Sequence, residues 1–321
     1  MFTLFMKNFM RSIIILLLAI SAAAFAADKL KIVTTLPDFA DIAQQIGGDR
    51  IEAFAIAKGY QDPHFVDPKP SYIIKLQKAD MFVHAGLDLE AGWVPPLLEG
   101  ARNAKILPGA KGNIDASKGL PLLEIPGGDP AQLRAQGDIH VFGNPHYWLD
   151  PVRGKQIAQN IFDGLVRLQP RDEAYFKNNL EALDKKIEAK VAEWEALMQP
   201  YNGVKIVAFH NSWPYFDERF GFDIIAFIEP KPGIPPSPKH LAEVISKMNQ
   251  VGAKVIIIEP YYSKKACELV ASKTGAQVAE LATAVDGLPG VKNYFDVFDY
   301  NLKKLVAAFQ ATGAASNNKS R

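Results

Sequence analysis

Cysteine is almost missing from this chain. One residue, Cys267, stands alone in 321, so no intramolecular disulfide can form and stability must come from apolar cores. Net charge is almost missing too: 36 Lys+Arg face 35 Asp+Glu, a formal +1. That balance argues against nucleic acid as the partner. There is no Gly-rich phosphate loop, no G-x-S-x-G elbow and no H-E-x-x-H helix, so the usual signatures of nucleotide, serine-hydrolase and zincin chemistry are all lacking. Low-complexity tracts and internal repeats are also absent. The clearest apolar run, Ser12 to Ile20, is too short to span a bilayer comfortably. It follows Lys7 and Arg11 and precedes Ala24-Phe25-Ala26, the three parts of an export signal. Residues 1–26 are therefore expected to be a cleaved signal peptide. With no cysteine at the cleavage point, the mature protein is expected in a bacterial periplasm without a lipid anchor.

What is present is a rhythm of short β-branched runs and helical stretches. "KIVTT" (31–35), "IEAFAIA" (51–57), "ADMFVHA" (79–85) and "AKILP" (104–108) read as buried strands. Helical patterns fill Asp38 to Ile46 and Pro70 to Lys78. A second set follows: "VKIVAFH" (204–210), "FDIIAFI" (222–228), "AKVIIIE" (253–259) and "AQVAEL" (276–281), with helices at Ser237 to Val251 and Ser263 to Lys273. Two sets of alternating strands and helices predict two doubly wound α/β lobes, each with a largely parallel sheet.

Between the sets, Tyr175, Phe176, Leu180, Leu183, Ile187, Val191, Trp194 and Leu197 recur at helical spacing, and no Gly or Pro interrupts Arg171 to Gln199. This predicts one rigid amphipathic helix of about 42 Å joining the lobes. The domain layout is then a 27–170 lobe, the 171–199 helix, a 200–311 lobe and a disordered 312–321 tail. Without a Gly/Ser hinge, lobe movement should be small, and ligand release should depend on the loop from Gly127 to Asn144.

Six histidines remain to be placed. "DPHFVDPKP" (62–70) holds His64 in a proline-stiffened loop, and the same Pro-His pair returns at His146 in "GNPHYWLDP". His210 ends the apolar run "VKIVAF", at the carboxyl end of a strand, where ligands of open α/β sheets sit. Three neutral imidazoles converging from distant positions make a first-row metal site, with zinc the commonest reading. His84, His240 and the loop residue His140 read as ordinary structural or surface histidines, and Cys267 as a packed apolar residue.

At these residues the chain resembles the zinc/manganese-type periplasmic solute-binding proteins of ABC transporters. The matching pieces include "KIVTTLPDFADIAQQIGGDRIE", "DPHFVDPKPSYIIKLQKADMFVHAGLDLEAGW", "NPHYWLDPVRGKQIAQNI", "VAFHNSWPYFDERFGF" and "IIIEPYYSKKACELVASKTGAQV", in the family's order across nearly all of the mature chain. The resemblance implies two lobes joined by one long helix, a metal in the cleft between them, and ligands at His64, His146 and His210. A third histidine at 210 leans to zinc over manganese, since imidazole suits Zn²⁺ and carboxylate suits Mn²⁺. Where the family often has an aspartate this chain has Ala284, which leaves water, Asp286 or Glu259 to complete the site. The implied role is a monomeric, non-enzymatic carrier that delivers zinc to an ABC permease and its ATPase. The alternatives are a zinc hydrolase using the same three histidines, with Glu259 as base, and a carrier of a chelated organic ligand.

Overall fold

The computed structural model describes residues 29–128 and 140–314. The first lobe is built on β1 (Leu30–Thr34), β2 (Ile51–Ala55), β3 (Met81–His84) and β4 (Asn113–Asp115), hydrogen-bonded in the order β2-β1-β3-β4. The second repeats the plan with β5 (Lys205–Ala208), β6 (Asp223–Phe227), β7 (Val255–Ile258) and β8 (Gln277–Glu280), in the order β6-β5-β7-β8. Every pairing is parallel. Parallel strands are covered on both faces, which is why β7 is the uninterrupted run Val-Ile-Ile-Ile with all four residues buried.

Nine α-helices lie among the described residues: α1 (Pro37–Gly47), α2 (Pro70–Gln77), α3 (Val94–Ala101), α4 (Pro151–Leu168), α5 (Glu173–Met198), α6 (Pro214–Phe220), α7 (Pro238–Val251), α8 (Lys265–Thr274) and α9 (Tyr294–Thr312). Strand side chains alternate between faces. Ile32, Met81 and Val83 of the first sheet, with Ile206, Ala208 and Ile257 of the second, point into one core shared with α1, α4, α5 and α9. Their neighbours Val33 and Phe82 face α2 and α3, while Val207, Ile256 and Ile258 face α7 and α8. The two lobes thus share a middle layer of helices. α5 is its spine: Phe176, Leu180, Leu183, Ile187, Val191, Trp194 and Met198 are buried along about 39 Å. The expected stripe shifts at its last step, since Leu197 is exposed and Met198 takes the inward place.

Two further expectations change. Residues 104–108 are not a strand. Asn103 accepts the backbone N–H of Lys105 (3.1 Å) and donates to the carbonyls of Leu76 and Ala79, which holds Ala104–Ile106 in a 3₁₀ turn. The fourth strand falls instead at Asn113–Asp115, because one buried residue, Ile114, suffices at a sheet edge. At the C-terminus, α9 runs through Thr312, Gly313 caps it in the left-handed region, and Ala314 packs on the core. The signal segment 1–26, residues 315–321 of the tail and residues 129–139 of the loop lie outside the described residues.

Where the lobes meet, Asp38 near the start of α1 is fully buried; its Oδ1 accepts the backbone N–H of Val285 from the other lobe (3.3 Å), and its Oδ2 has no partner among the described residues. Burial pushes this carboxyl up to about 8. The unfolded carboxyl ionises near 3.8, so between about pH 4 and pH 8 the folded state binds the extra proton and stability falls as pH rises. Asp38→Asn removes that slope. Urea unfolding at a series of pH values should show the variant gaining on wild type by up to about 1.4 kcal/mol per pH unit across this window; parallel curves would contradict the assignment.

Candidate metal centre

The two Pro-His loops are one device used twice. In the first, Asp62 Oδ1 accepts the backbone N–H of His64 (3.0 Å) and sits 2.6 Å from its Nδ1. In the second, Asn144 Oδ1 accepts the backbone N–H of His146 (3.0 Å) and sits 2.9 Å from its Nδ1. The residue two places before each histidine therefore fixes both its backbone and its ring, while the intervening proline removes a donor and a degree of freedom. Trp93 Nε1 donates to the carbonyl of Pro63 (2.9 Å) and locks the first loop. The second continues into a 3₁₀ turn, Tyr147–Leu149, anchored by Tyr147 Oη on the Ala85 carbonyl (2.7 Å) and Trp148 Nε1 on the Thr283 carbonyl (2.8 Å).

His210 is placed differently. It lies two residues past β5, and its Nδ1 is 2.5 Å from Oε2 of Glu229, likewise two residues past β6. The Glu229 Oε1 accepts the N–H of Gly233 (2.8 Å). In all three cases the atom facing Nδ1 is an acceptor oxygen. Each ring can donate Nδ1–H there and turn its Nε2 to the cleft. This is the outer-shell arrangement by which proteins orient histidine ligands.

The three rings converge. Their centroids are 5.2, 5.4 and 5.6 Å apart, and one nitrogen from each lies within 4.8 Å of the other two. His64 is 9%, His146 1% and His210 3% exposed. The Nε2 of His146 is buried without a hydrogen-bond partner among the described residues, the state expected of a nitrogen kept for a metal. Burial, then the charges of the neighbouring histidines, hold His146 well below the usual imidazole range, so it is neutral at physiological pH. Burial alone would raise Asp62, but the hydrogen bonds and charge of His64 outweigh it and keep the carboxylate ionised. The candidate donor set is thus three imidazoles, two of them backed by carboxylates at Asp62 and Glu229.

The remaining candidates separate cleanly. Asp286 is exposed, has φ 58° and pairs with Lys292 (2.8 Å), away from the rings. Glu259 is fully buried, accepts Trp213 Nε1 (2.9 Å) and is pushed up to about 8 by burial; it does not join the cluster. His84 bonds Asn113 and His240 bonds the Phe227 carbonyl. His140 does lie at the site: its Nε2 is 3.1 Å from that of His64, and burial with the charges of His64 and His210 pushes it down to about 3. It stands outside the mutual 4.8 Å of the triad, at a cavity of about 440 Å³ lined also by Glu124, Asn144 and His210. The orienting residues Asp62, Asn144 and Glu229 were not singled out from the sequence. The repeated Asx-Pro-His spacing is the signal that marks the first two; nothing local marks Glu229.

The family model described as "ZnuA: Zinc-uptake complex component A periplasmic" matches residues 32–308. The chain belongs to this family. It is 25% identical over 292 residues to the manganese ABC transporter substrate-binding lipoprotein PsaA of Streptococcus pneumoniae, covering 87% of this chain and 89% of that one. It is 26% identical over 293 residues to the iron ABC transporter substrate-binding lipoprotein MtsA of Streptococcus pyogenes serotype M1, covering 87% and 88%. A crystal structure of ZnuA superposes with a TM-score of 0.75 at 26% identity, covering 88% of this chain and 99% of that one. The chain is accordingly a metal-binding substrate-binding protein of an ABC transporter and not an enzyme, which removes the hydrolase alternative. One expectation is corrected. The streptococcal relatives are named lipoproteins, which overturns the reading of a lipid-free periplasmic protein released by signal cleavage.

The turn carrying His146 ends on a charged clamp. Asp150, 1% exposed, caps α4 through the Val152 N–H (3.0 Å) and receives Arg153 (2.7 Å) and, from the second lobe, Arg219 (2.8 Å). Asp150→Ala removes the cap and leaves buried Arg153 short of a partner. A loss of about 3 kcal/mol in urea unfolding is expected; a loss under about 1 kcal/mol would show that the clamp contributes little.

Proposed function

We propose that this protein binds one Zn²⁺ through the Nε2 atoms of His64, His146 and His210 and presents it to the permease and ATPase of its transporter as a monomer. The observation that carries the reading is the donor set: three imidazoles, each with an acceptor oxygen at Nδ1, and no carboxylate among the converging ligand atoms of the described residues. Imidazole is the donor suited to borderline Zn²⁺, whereas Mn²⁺ is better served by carboxylate oxygens. In a tetrahedral site with Zn–N of about 2.0–2.1 Å the nitrogens stand about 3.3 Å apart, a modest contraction from the limit within which they already lie. The fourth position falls to water, with His140 beside it. The ligands come from both lobes of one chain, so no second copy is needed to complete the site.

Competition titration with chelators of known affinity tests this. Zinc should bind at one equivalent and several orders of magnitude more tightly than manganese. His146→Ala should weaken zinc by at least about a hundredfold while leaving the metal-free melting temperature within a few degrees. Manganese binding as tightly as zinc, or an unchanged His146→Ala affinity, would overturn the assignment.

A further inference from the structure

Asp62 has two oxygens, and His64 uses only one. Its Oδ1 takes the backbone and Nδ1 of His64. Its Oδ2 accepts a hydrogen bond from Tyr262 Oη at 3.2 Å, across 200 residues of chain and from the other lobe. Tyr262 sits in the turn after β7, where its N–H meets the Glu259 carbonyl (3.3 Å). Its ring stacks on Phe209 at 4.5 Å, the residue before His210, and lies 5.9 Å from the His210 ring. One tyrosine therefore touches the carboxylate that orients His64 and the backbone segment that presents His210.

The geometry points to Tyr262 as a positioning residue that latches the His64 loop of the first lobe against the His210 strand end of the second, so that it sets how slowly bound metal leaves. This rests on the zinc assignment above and adds to it a residue that does not touch the ion. The loop is proline-stiffened and held by Trp93 at Pro63, so the Asp62 carboxylate is the part left to turn. Freeing Asp62 Oδ2 lets the carboxylate turn and carries the His64 ring with it. Because a metal bound to His64 and His210 spans the same gap as the Tyr262–Asp62 bond, the two links hold the same closed arrangement, and loss of one weakens the other.

The experiment is stopped-flow zinc release from the full chain into excess chelator, for wild type, Tyr262→Phe, Asp62→Asn and the double variant, beside melting of each metal-free protein. Tyr262→Phe keeps the ring on Phe209, so the metal-free melting temperature should stay within about a degree. Zinc release should nevertheless quicken roughly tenfold, the scale on which outer-shell contacts act. Asp62→Asn should release zinc at least as fast, and the double variant no faster than Asp62→Asn, because both act through one bond. Unchanged release in Tyr262→Phe, or effects that multiply in the double variant, would overturn the latch while leaving the zinc assignment intact. A wild-type protein that takes up no zinc would overturn both. Loss of metal-free stability in Tyr262→Phe matching its faster release would reduce Tyr262 to a packing residue and equally overturn the latch.

Discussion

The hydrogen bond on the far nitrogen of each histidine is the constraint from which the site follows. A free imidazole puts its proton on either nitrogen and turns about two torsions. Here Asp62, Asn144 and Glu229 each present an acceptor oxygen to Nδ1, which orients the three rings and leaves their Nε2 atoms to the cleft. Two of these acceptors are carboxylates, which place negative charge behind the rings of His64 and His210. In the proposed site a dication would meet nitrogen donors first and compensating anions one layer out.

Holding those rings in register requires the lobes to be held as well, and the fold does this with apolar area and hydrogen bonds together. Both sheets pack their inner faces on one shared layer of α1, α4, α5 and α9. Across the lobe boundary run Trp148 to Thr283, Tyr294 to Trp148 (2.6 Å), Tyr215 to Asn144 (2.7 Å) and the Arg219–Asp150 pair. Wide separation of the lobes would expose that core and strip buried polar groups of their partners. Under the proposed function, metal would then come and go through small displacements of the segments that reach the cleft. The Asp62–Phe65 turn, the segment around His140 and the turn bearing Tyr262 are the parts that do not belong to the shared core.

Fluctuation between metal choices within the family fits the same logic. Relatives of similar sequence are named for manganese and for iron, and a common scaffold can serve different ions when the converging donors change while the lobes do not. In this chain His210 stands two residues past β5 and the segment after β8 offers Ala284, with Asp286 turned outward to Lys292. That outward turn arises from the backbone: Asp286 adopts the left-handed region, and Gly287 packs against Gly59.

Much of the architecture was legible in the sequence because it depends on local periodicity. β-branched runs, the stripe of α5 and the Pro-His recurrence each announce themselves within a few residues, and seven of the eight expected strands overlap observed ones. The failure at 104–108 came from a side chain, Asn103, whose partners Leu76 and Ala79 lie some 25 residues away. The site divides in the same way. His64, His146 and His210 could be named from loop stiffness, strand ends and family likeness. Tertiary structure alone decided that Glu229 from the neighbouring strand orients His210, that His140 stands beside His64, that Asp286 points away and that Tyr262 reaches Asp62 from the other lobe. Sequence fixes what a residue can donate or accept and the local shape of its segment. Which groups then meet depends on how two sheets and a shared helical layer pack, and distances of 3 Å between residues 19 to 200 apart leave no periodic trace in the chain.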